Sequence, residues 1–443
     1  MLEKCVAAGA FHDSSERLNL PKCHPRTRMA VLNKIRQWHI SDSLPCIMWL
    51  YGPAGAGKSA IAQTMAEECR QLHTLAVSFF FSRTISGCNN VTRLVATIAY
   101  QIAQGIPETQ SYIERAIEND PMIFSRSLAT QLYHLLTKPL LNVAPSSSGS
   151  TSKSCPKLLI IDGLDECNGG ETQQAIIHYL AAAITQYPLP LRVLILSRPE
   201  QPIQESFSHS ERYGGHTSLH LGKNYQPDKD IKLFLKESFD AIRKTHILKS
   251  YIPTTWPSKE DISALVLKSS GQFIFASISI QYVKSSRHQP MDRLQHILGI
   301  ETCGDNTPFA ELDALYTHVL ESADQVQRST ILHIFDFLLC TLPTWDLCFN
   351  EPSNIEQFLN LKPGQLFLAL MDCQSIVSIS PREDRQLSTV HFLHASMSDF
   401  LLDPHRSKNF FVDRGRAHSE LARACMRGIS SSRKSEIYAR FSY

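Results

Sequence analysis

Residues 52–59 read Gly52-Pro53-Ala54-Gly55-Ala56-Gly57-Lys58-Ser59, and this stretch decides the fold of the first half of the chain. Its spacing matches the phosphate-binding loop G-x-x-x-x-G-K-[ST], in which glycines let backbone N–H groups face phosphate oxygens. The apolar run Cys46–Tyr51 precedes the loop, and a helical apolar pattern follows it. The stretch predicts a site for a purine nucleoside triphosphate with Mg²⁺, where Lys58 reaches the β- and γ-phosphates and Ser59 coordinates the metal. A glycine-rich turn without a ligand is the alternative.

Short apolar runs recur between helical patterns in the first half of the chain. Besides Cys46–Tyr51, they are Leu75–Phe81, Leu158–Ile161, Val193–Leu196 and the weaker Thr217–Leu221. Such runs are typical of strands buried on both faces of a parallel sheet. We therefore expect an α/β P-loop NTPase domain, a parallel sheet with helices on both faces, over residues 23–222 after a short leader, residues 1–22. The Ser-rich stretch Ala144–Ser154 is predicted to be a surface loop inside this domain.

A second motif supplies carboxylates. The stretch Lys157–Glu166 contains four apolar residues that end in Asp162, and Asp165 and Glu166 follow closely. A buried strand with this pattern delivers a carboxylate to the ligand-binding edge of an open α/β sheet. We expect Asp162 to hold Mg²⁺, and Asp165 or Glu166 to orient an attacking water. A solvated acidic turn is the alternative.

Two arginines follow apolar runs in the same way. Arg198 closes the run that begins at Leu194, where a guanidinium would contact the γ-phosphate and report its presence. The alternative for Arg198 is pairing with surface carboxylates. For Arg83, the last residue of Phe79–Arg83, pairing with surface carboxylates is the favoured interpretation.

The second half of the chain has helical periodicity. It predicts a helical domain over residues 223–310 and a winged-helix-like domain over 311–405, followed by a loosely ordered tail, residues 406–443. The winged-helix prediction depends on a β-hairpin, with strands at Ser375–Ser380 and Ser388–Leu393 around a polar turn. A capping box is predicted at Ser396–Asp399.

Composition and charge indicate which classes of protein fit this chain. The chain has 443 residues, 43% of them hydrophobic and 19% charged, which indicates globular domains. A net charge of +2 gives no argument for nucleic acid or an anionic membrane as partner. The 12 cysteines include no Cys-x-x-Cys pair, and residues 1–20 lack a secretory pattern. We expect a soluble cytoplasmic protein.

Three motifs together resemble a known family. GPAGAGKSAIAQ, LLIIDGLDEC and LILSRPE are similar to the NACHT-type signal-transduction ATPases (STAND class) of fungi, which are NLR-like proteins of the nephrocystin-3-like N-terminal type. The resemblance covers residues 17–405, and it extends to Arg17–Arg28, Arg93–Pro107, Glu114–Ser127, Leu312–Tyr316 and Leu393–Leu401.

The resemblance implies a switch that rests closed with ADP, opens with ATP, and then associates with itself or with NACHT relatives. It implies that Asp165 is the catalytic carboxylate, that Arg198 is the γ-phosphate sensor, and that His394 contacts the ADP β-phosphate. A capping or core role for His394 is an equal alternative. The family usually adds an effector domain and a repeat sensor, which are not recognisable before residue 17 or after residue 405.

These observations give a leading hypothesis and two alternatives. The leading one is an ATP/ADP-binding signalling switch with weak ATPase activity. The second is a non-hydrolysing nucleotide-binding scaffold or decoy that co-assembles with full-length relatives. The third, a motor ATPase acting on nucleic acid, is disfavoured by the near-neutral charge.

Overall fold

A computed structural model of the chain divides into two compact units. The first comprises Met1–Thr245 with Pro253–Ala276, and the second comprises His246–Ile252 with Ser277–Tyr443. The structure describes residues 2–15, 22–83, 85, 87–143, 156–187, 189–209, 215–222, 225–300, 309–340, 350–382 and 387–430. The predicted surface loop Ala144–Ser154 lies outside these residues.

A parallel five-stranded sheet organises the first unit. Its strands are β1 Ile47–Tyr51, β2 Leu75–Phe80, β3 Lys157–Asp162, β4 Leu191–Ser197 and β5 Thr217–His220. They lie in the order β2-β3-β4-β1-β5, and every adjacent pair is parallel. Every residue of β4 is buried, as expected for a strand covered on both faces. All five predicted strands are confirmed, and so is the α/β P-loop NTPase fold.

Helices cover the two faces of the sheet, and most of them separate its strands along the chain. The helices are α1 Met29–Ile40, α2 Lys58–Gln71, α3 Leu94–Gly105, α4 Gln110–Asn119, α5 Leu128–Leu132, α6 Lys138–Val143, α7 Gly170–Gln186, α8 Gln201–Ser208, α9 Pro227–Thr245 and α10 Lys259–Ser269. Helix α11, Phe273–Val283, begins in the first unit and continues into the second.

The first residues of the chain pack into the sheet domain. Ala7 and Ala10 are 3% and 0% exposed and belong to the core on one face of the sheet. The backbone N–H of Ala7 donates to the Thr97 hydroxyl on α3 at 2.9 Å. Ala7 and Ala10, which fall in the segment 1–22 predicted as a leader, thus contribute to the core of the domain. Small residues such as alanine carry little hydrophobic signal in a sequence, and so the contribution was missed.

His12 links this segment to β2 and α2, and we expect its removal to destabilise the protein. Its backbone N–H and its ring Nδ1 lie 3.1 and 2.9 Å from the Ser78 hydroxyl on β2. Its carbonyl oxygen accepts from Gln63 on α2 at 2.9 Å. We expect His12→Ala to lower the free energy of unfolding by about 1–2 kcal/mol, since the buried Ser78 hydroxyl loses the ring as one of its hydrogen-bond partners. Thermal unfolding of this variant beside Lys4→Ala, an exposed control, checks it, and equal melting temperatures would contradict it.

The helix α9 joins the sheet domain through polar contacts that periodicity does not reveal. The Asp230 carboxylate accepts from the backbone N–H of Arg28 at 2.9 Å. The Glu237 carboxylate lies 2.6 Å from the His24 ring. The segment 223–310, predicted as one helical domain, is therefore divided between the two compact units.

In the part of the second unit that the structure describes, helices surround one hairpin. Its helices are α12 Pro290–Leu298, α13 Ala310–Glu321, α14 Gln325–Cys340, α15 Pro352–Phe358, α16 Gln365–Leu370, α17 Ala395–Leu401, α18 Pro404–Ser407 and α19 Arg414–Ser430. Antiparallel strands β6 Val377–Arg382 and β7 Leu387–Phe392 confirm the predicted hairpin. The predicted turn between them lies partly outside the described residues.

Two local predictions in this unit are wrong. The residue that caps α17 is His394, so the predicted capping box at Ser396–Asp399 does not form. The segment after residue 405, predicted to be loosely ordered, contains α19, whose Leu421 is 7% exposed. Packing of an amphipathic helix supplies the stability that its polar composition seemed to exclude. Within the described residues, the longest apolar helices fall short of what a membrane span requires.

Candidate nucleotide site

The phosphate-binding loop lies where β1 ends and α2 begins, at the carboxyl edge of the sheet. Gly55 and Gly57 have φ values of +73° and +88°, a region that favours glycine. A Cβ built on Gly55 would overlap the side chain of Ile274, so the loop also needs glycine for close packing. The carbonyl of Gly57 accepts from Ile61 at 3.1 Å, which starts α2 directly at the loop.

Lys58 folds back over its own loop. Its Nζ donates to the carbonyl oxygens of Gly52 and Pro53, both at 2.9 Å. These bonds use two of the three ammonium protons, and the third remains to reach a phosphate oxygen. Burial lowers the pKa of Lys58, while the Asp165 carboxylate acts to raise it. The loop thus surrounds the Lys58 ammonium group, which lies near carboxylates and keeps one N–H that can donate to a ligand.

Strand order places the predicted residues along one edge. Because β4 lies between β1 and β3, its carboxyl end separates the phosphate-binding loop from the acidic turn. Tyr51 pairs with Ser197, and Asp162 pairs with Leu196, so the three strands end at the same level. Arg198, which follows Ser197, therefore stands between the loop and the carboxylates.

The structure joins two of the predicted residues directly. The Asp165 Oδ2 lies 3.2 Å from the Arg198 Nε, and its Oδ1 accepts from the Arg198 backbone N–H at 2.8 Å. The Asp165 side chain is 2% exposed and that of Arg198 is 20% exposed. A pair this buried is hard to break from one side, because the remaining charge loses its compensation.

Glu166, the next residue after Asp165, has a carboxyl group with a shifted pKa. Burial and the neighbouring charge of Asp165 raise the pKa of Glu166 to about 7. One of its carboxylate oxygens accepts from the Arg83 backbone N–H at 3.1 Å. A carboxyl group that changes charge near neutral pH is suited to general base work.

Arg83 holds the acidic turn through its side chain. Its Nη2 donates to the Asp165 carbonyl oxygen at 3.1 Å and lies 3.7 Å from the Glu200 carboxylate. The contact with Glu200 agrees with the favoured interpretation from the sequence, which was pairing with carboxylates. Periodicity does not indicate the contact with the turn, because a backbone acceptor leaves no pattern in a sequence.

The predicted magnesium ligands offer suitable chemistry. Asp162 is 3% exposed at the end of β3, and the exposed Ser59 begins the first turn of α2. Both present hard oxygen donors, which Mg²⁺ prefers, and Mg²⁺ at phosphates is held by one or two carboxylates with water. Among the described residues there is no cluster of three or more His, Cys, Asp or Glu side chains that would itself hold a metal ion.

His394 belongs to the second unit and caps a helix there. Its Nδ1 accepts from the Ser396 backbone N–H at 3.0 Å and lies 2.6 Å from the Ser396 hydroxyl. That hydroxyl also lies 2.7 Å from the Tyr316 hydroxyl. The capping role, one of the two alternatives for His394, is therefore present. Its contact with a nucleotide stays a prediction.

The raised pKa of Glu166 predicts a pH-dependent stability. In the unfolded chain its carboxyl ionises near 4.5, and in the folded protein near 7. Between these values the folded state binds more protons, so its stability falls as the pH rises. We expect Glu166→Gln to raise the melting temperature by about 2–4 °C at pH 8 and to lose that advantage at pH 5. Thermal unfolding without nucleotide checks this, with Glu171→Gln, a carboxylate on α7, as control.

Residues 28–198 match the family model described as nephrocystin 3, N-terminal. No curated protein matches. Among solved structures, a STAND protein with a tetratricopeptide repeat sensor from Pyrococcus horikoshii is 13% identical, with a TM-score of 0.46, over 93% of this chain and 46% of that one.

Two further structures are similarly distant. A Walker-type ATPase of Pyrococcus abyssi is 14% identical with a TM-score of 0.39, over 86% of this chain and 98% of that one. The ORC1 protein of Aeropyrum pernix, solved in complex with DNA, is 12% identical with a TM-score of 0.39, over 90% and 92%. This chain spans less than half the length of the STAND protein. Residues 28–198, which form a P-loop NTPase fold, are thus similar to the N-terminal region of nephrocystin 3.

Proposed function

We propose that the chain is an ATP/ADP-binding signal-transduction switch of the NACHT/STAND kind with slow hydrolysis. One observation carries the proposal. Arg198 is bonded to Asp165, yet it follows the strand between the phosphate-binding loop and the acidic turn. A γ-phosphate at the loop offers this guanidinium a second anionic partner. ATP and ADP would then favour different partners for one arginine.

The exchange of partners can distinguish the two nucleotides energetically. A ligand shifts an equilibrium only through its different affinities for the two states. Charge-assisted hydrogen bonds to Arg198 exist with Asp165 in one state and with phosphate in the other. Couplings between sites are commonly about 1–3 kcal/mol. One such exchange is of the size that a nucleotide switch requires.

Slow hydrolysis follows from the state of the carboxylates. Both oxygens of Asp165 are engaged by Arg198, so Asp165 becomes available only when that pair opens. Glu166, with a pKa of about 7, is the neighbouring group able to accept a proton from water. Ser59 and Asp162 would hold Mg²⁺, which neutralises developing phosphate charge when it is bound.

The biological setting comes from the resemblance. It supports a cytoplasmic, fungal, NLR-like role in signalling or nonself response, with self-association or association with NACHT relatives. The similarity of residues 28–198 to nephrocystin 3 supports the NTPase part. The net charge of +2 does not favour DNA as a partner, although one distant structural neighbour was solved with DNA.

The nucleotide that accompanies the purified protein tests the proposal. Native mass spectrometry and chromatography after denaturation should find adenine nucleotide, mainly ADP, in the resting protein. Added ATP with Mg²⁺ should displace it. Exclusive binding of GTP would contradict the adenine specificity, and a protein that binds no nucleotide at micromolar concentration would contradict the switch.

The scaffold alternative has one observation in its favour, which is that the Asp165 carboxylate is engaged by Arg198. In that case the pair never opens, and bound ATP persists. Single-turnover hydrolysis distinguishes the two functions, because a rate indistinguishable from that of free ATP favours the scaffold.

A further inference from the structure

A buried guanidinium lies beside the phosphate-binding loop. Arg28 is 4% exposed, and its Nη2 donates to the carbonyl oxygen of Ala56 at 2.7 Å. Its Nε and Nη1 find no hydrogen-bond acceptor among the residues that the structure describes. Buried donors without acceptors are unfavourable, so a purely structural role would be filled better by an apolar side chain. The hydrogen bond that its side chain makes is to the phosphate-binding loop.

The bond to Ala56 sets the direction of the next amide. In a trans peptide the C=O and the N–H point in opposite directions. Because the Ala56 oxygen is held toward Arg28, the Gly57 N–H is directed away from Arg28. Gly57 has φ +88°, and a Cβ built on it meets no described atom within 4 Å, so the loop is open there.

We propose that Arg28 is a positioning residue that holds the Ala56–Gly57 peptide with its N–H directed at a phosphate of the bound nucleotide. The proposal rests on the proposed nucleotide binding at this loop and adds a determinant that lies outside the phosphate-binding motif. If the peptide turned over, it would present a carbonyl oxygen to the phosphate, and repulsion would replace a hydrogen bond.

Helices that follow the sheet along the chain also contact Arg28. Its backbone N–H donates to Asp230 on α9 at 2.9 Å, and its guanidinium lies 4.8 Å from the ring centroid of Phe273, the first residue of α11. The next residue, Ile274, packs against Gly55. Arg28 and the start of α11 thus hold the loop at adjacent residues, so the positions of α9 and α11 determine the orientation of the peptide.

Arg28→Met tests the proposal, because it keeps the length and removes every donor. Isothermal titration with ADP and, separately, with pyrophosphate should show both binding about 10- to 100-fold more weakly than to the wild-type protein. The melting temperature without nucleotide should match that of Arg26→Met, a control two residues away whose exposed guanidinium pairs with Glu237.

Each outcome decides one question. Wild-type protein that binds neither ligand would refute the proposed function itself. Wild-type binding with an Arg28→Met affinity within about twofold would refute the positioning role. Weaker ADP binding with unchanged pyrophosphate binding would show that Arg28 contacts the nucleoside, which also overturns the proposal.

If Arg28→Met does not fold, Arg28→Lys replaces it. A lysine lacks the planar donor geometry, so it should bind pyrophosphate about 10-fold more weakly, and wild-type affinity would refute the role.

Discussion

Lys58→Ala is expected to abolish measurable nucleotide binding, weakening ADP and ATP by about 100-fold or more. The variant removes the cation that the loop surrounds, whose Nζ already bonds to the carbonyls of Gly52 and Pro53. Without it, the loop has no lysine charge to offset the negative charge of the phosphates. Titration calorimetry with both nucleotides measures the effect.

The control for this variant is Lys229→Ala, which removes an exposed lysine on α9 and should bind like the wild type. The fold should survive in both, because the Lys58 bonds lie within one short loop. Tight ATP binding by Lys58→Ala would refute the site assignment, whatever the behaviour of the other residues.

Asp165→Asn is expected to keep nucleotide binding and to slow single-turnover ATP hydrolysis by about 100-fold or more. The substitution removes the charge that holds Arg198 and half of the acidic pair at the end of β3. Binding should persist, because the substitution leaves the backbone and Lys58 donors of the loop and the Arg198 guanidinium in place. Rapid-quench measurements at saturating ATP report the rate, and titration reports the affinity.

Glu166→Gln separates the two roles proposed for this acidic pair. If Glu166 is the proton acceptor, Glu166→Gln should slow hydrolysis equally and remove the rise of rate with pH near 7, the pKa of its carboxyl group. Asp165→Asn should retain that pH dependence at its lower rate. The reverse pattern would identify Asp165 as the proton acceptor, as the family resemblance implies. Unchanged hydrolysis in both variants would contradict a catalytic role for the acidic turn.

The prediction of the sheet succeeded for a physical reason. Strands buried on both faces, such as Leu191–Ser197, must be apolar at nearly every position, and that demand is visible in the chain. The loop at Gly52–Ser59 was equally visible, because binding phosphate through backbone amides requires glycines at fixed spacing. The hairpin of β6 and β7 also followed from two short segments that flank a polar turn.

Other features depended on partners distant in sequence. Asp165 and Arg198 are 33 residues apart, and their pairing requires β3 and β4 to be neighbours in the sheet. The cap on α17 is a histidine ring, a less common choice than the hydroxyl expected at Ser396. The contribution of Ala7 to the core depends on its contact with α3. A small residue such as alanine gives no clear sign of burial in the sequence.

The amino-acid sequence by itself determined the parallel sheet, the phosphate-binding loop and the identity of the charged residues at the strand ends. These features are local, since apolar runs and glycine spacing are imposed on neighbouring residues by backbone hydrogen bonding and burial. Only the tertiary structure decided what those charges bind. It placed Arg198 on Asp165, left Glu166 with a raised pKa, and brought Arg28 to the loop across 28 residues of chain. Such pairings depend on distances through space, which the order of the residues does not record.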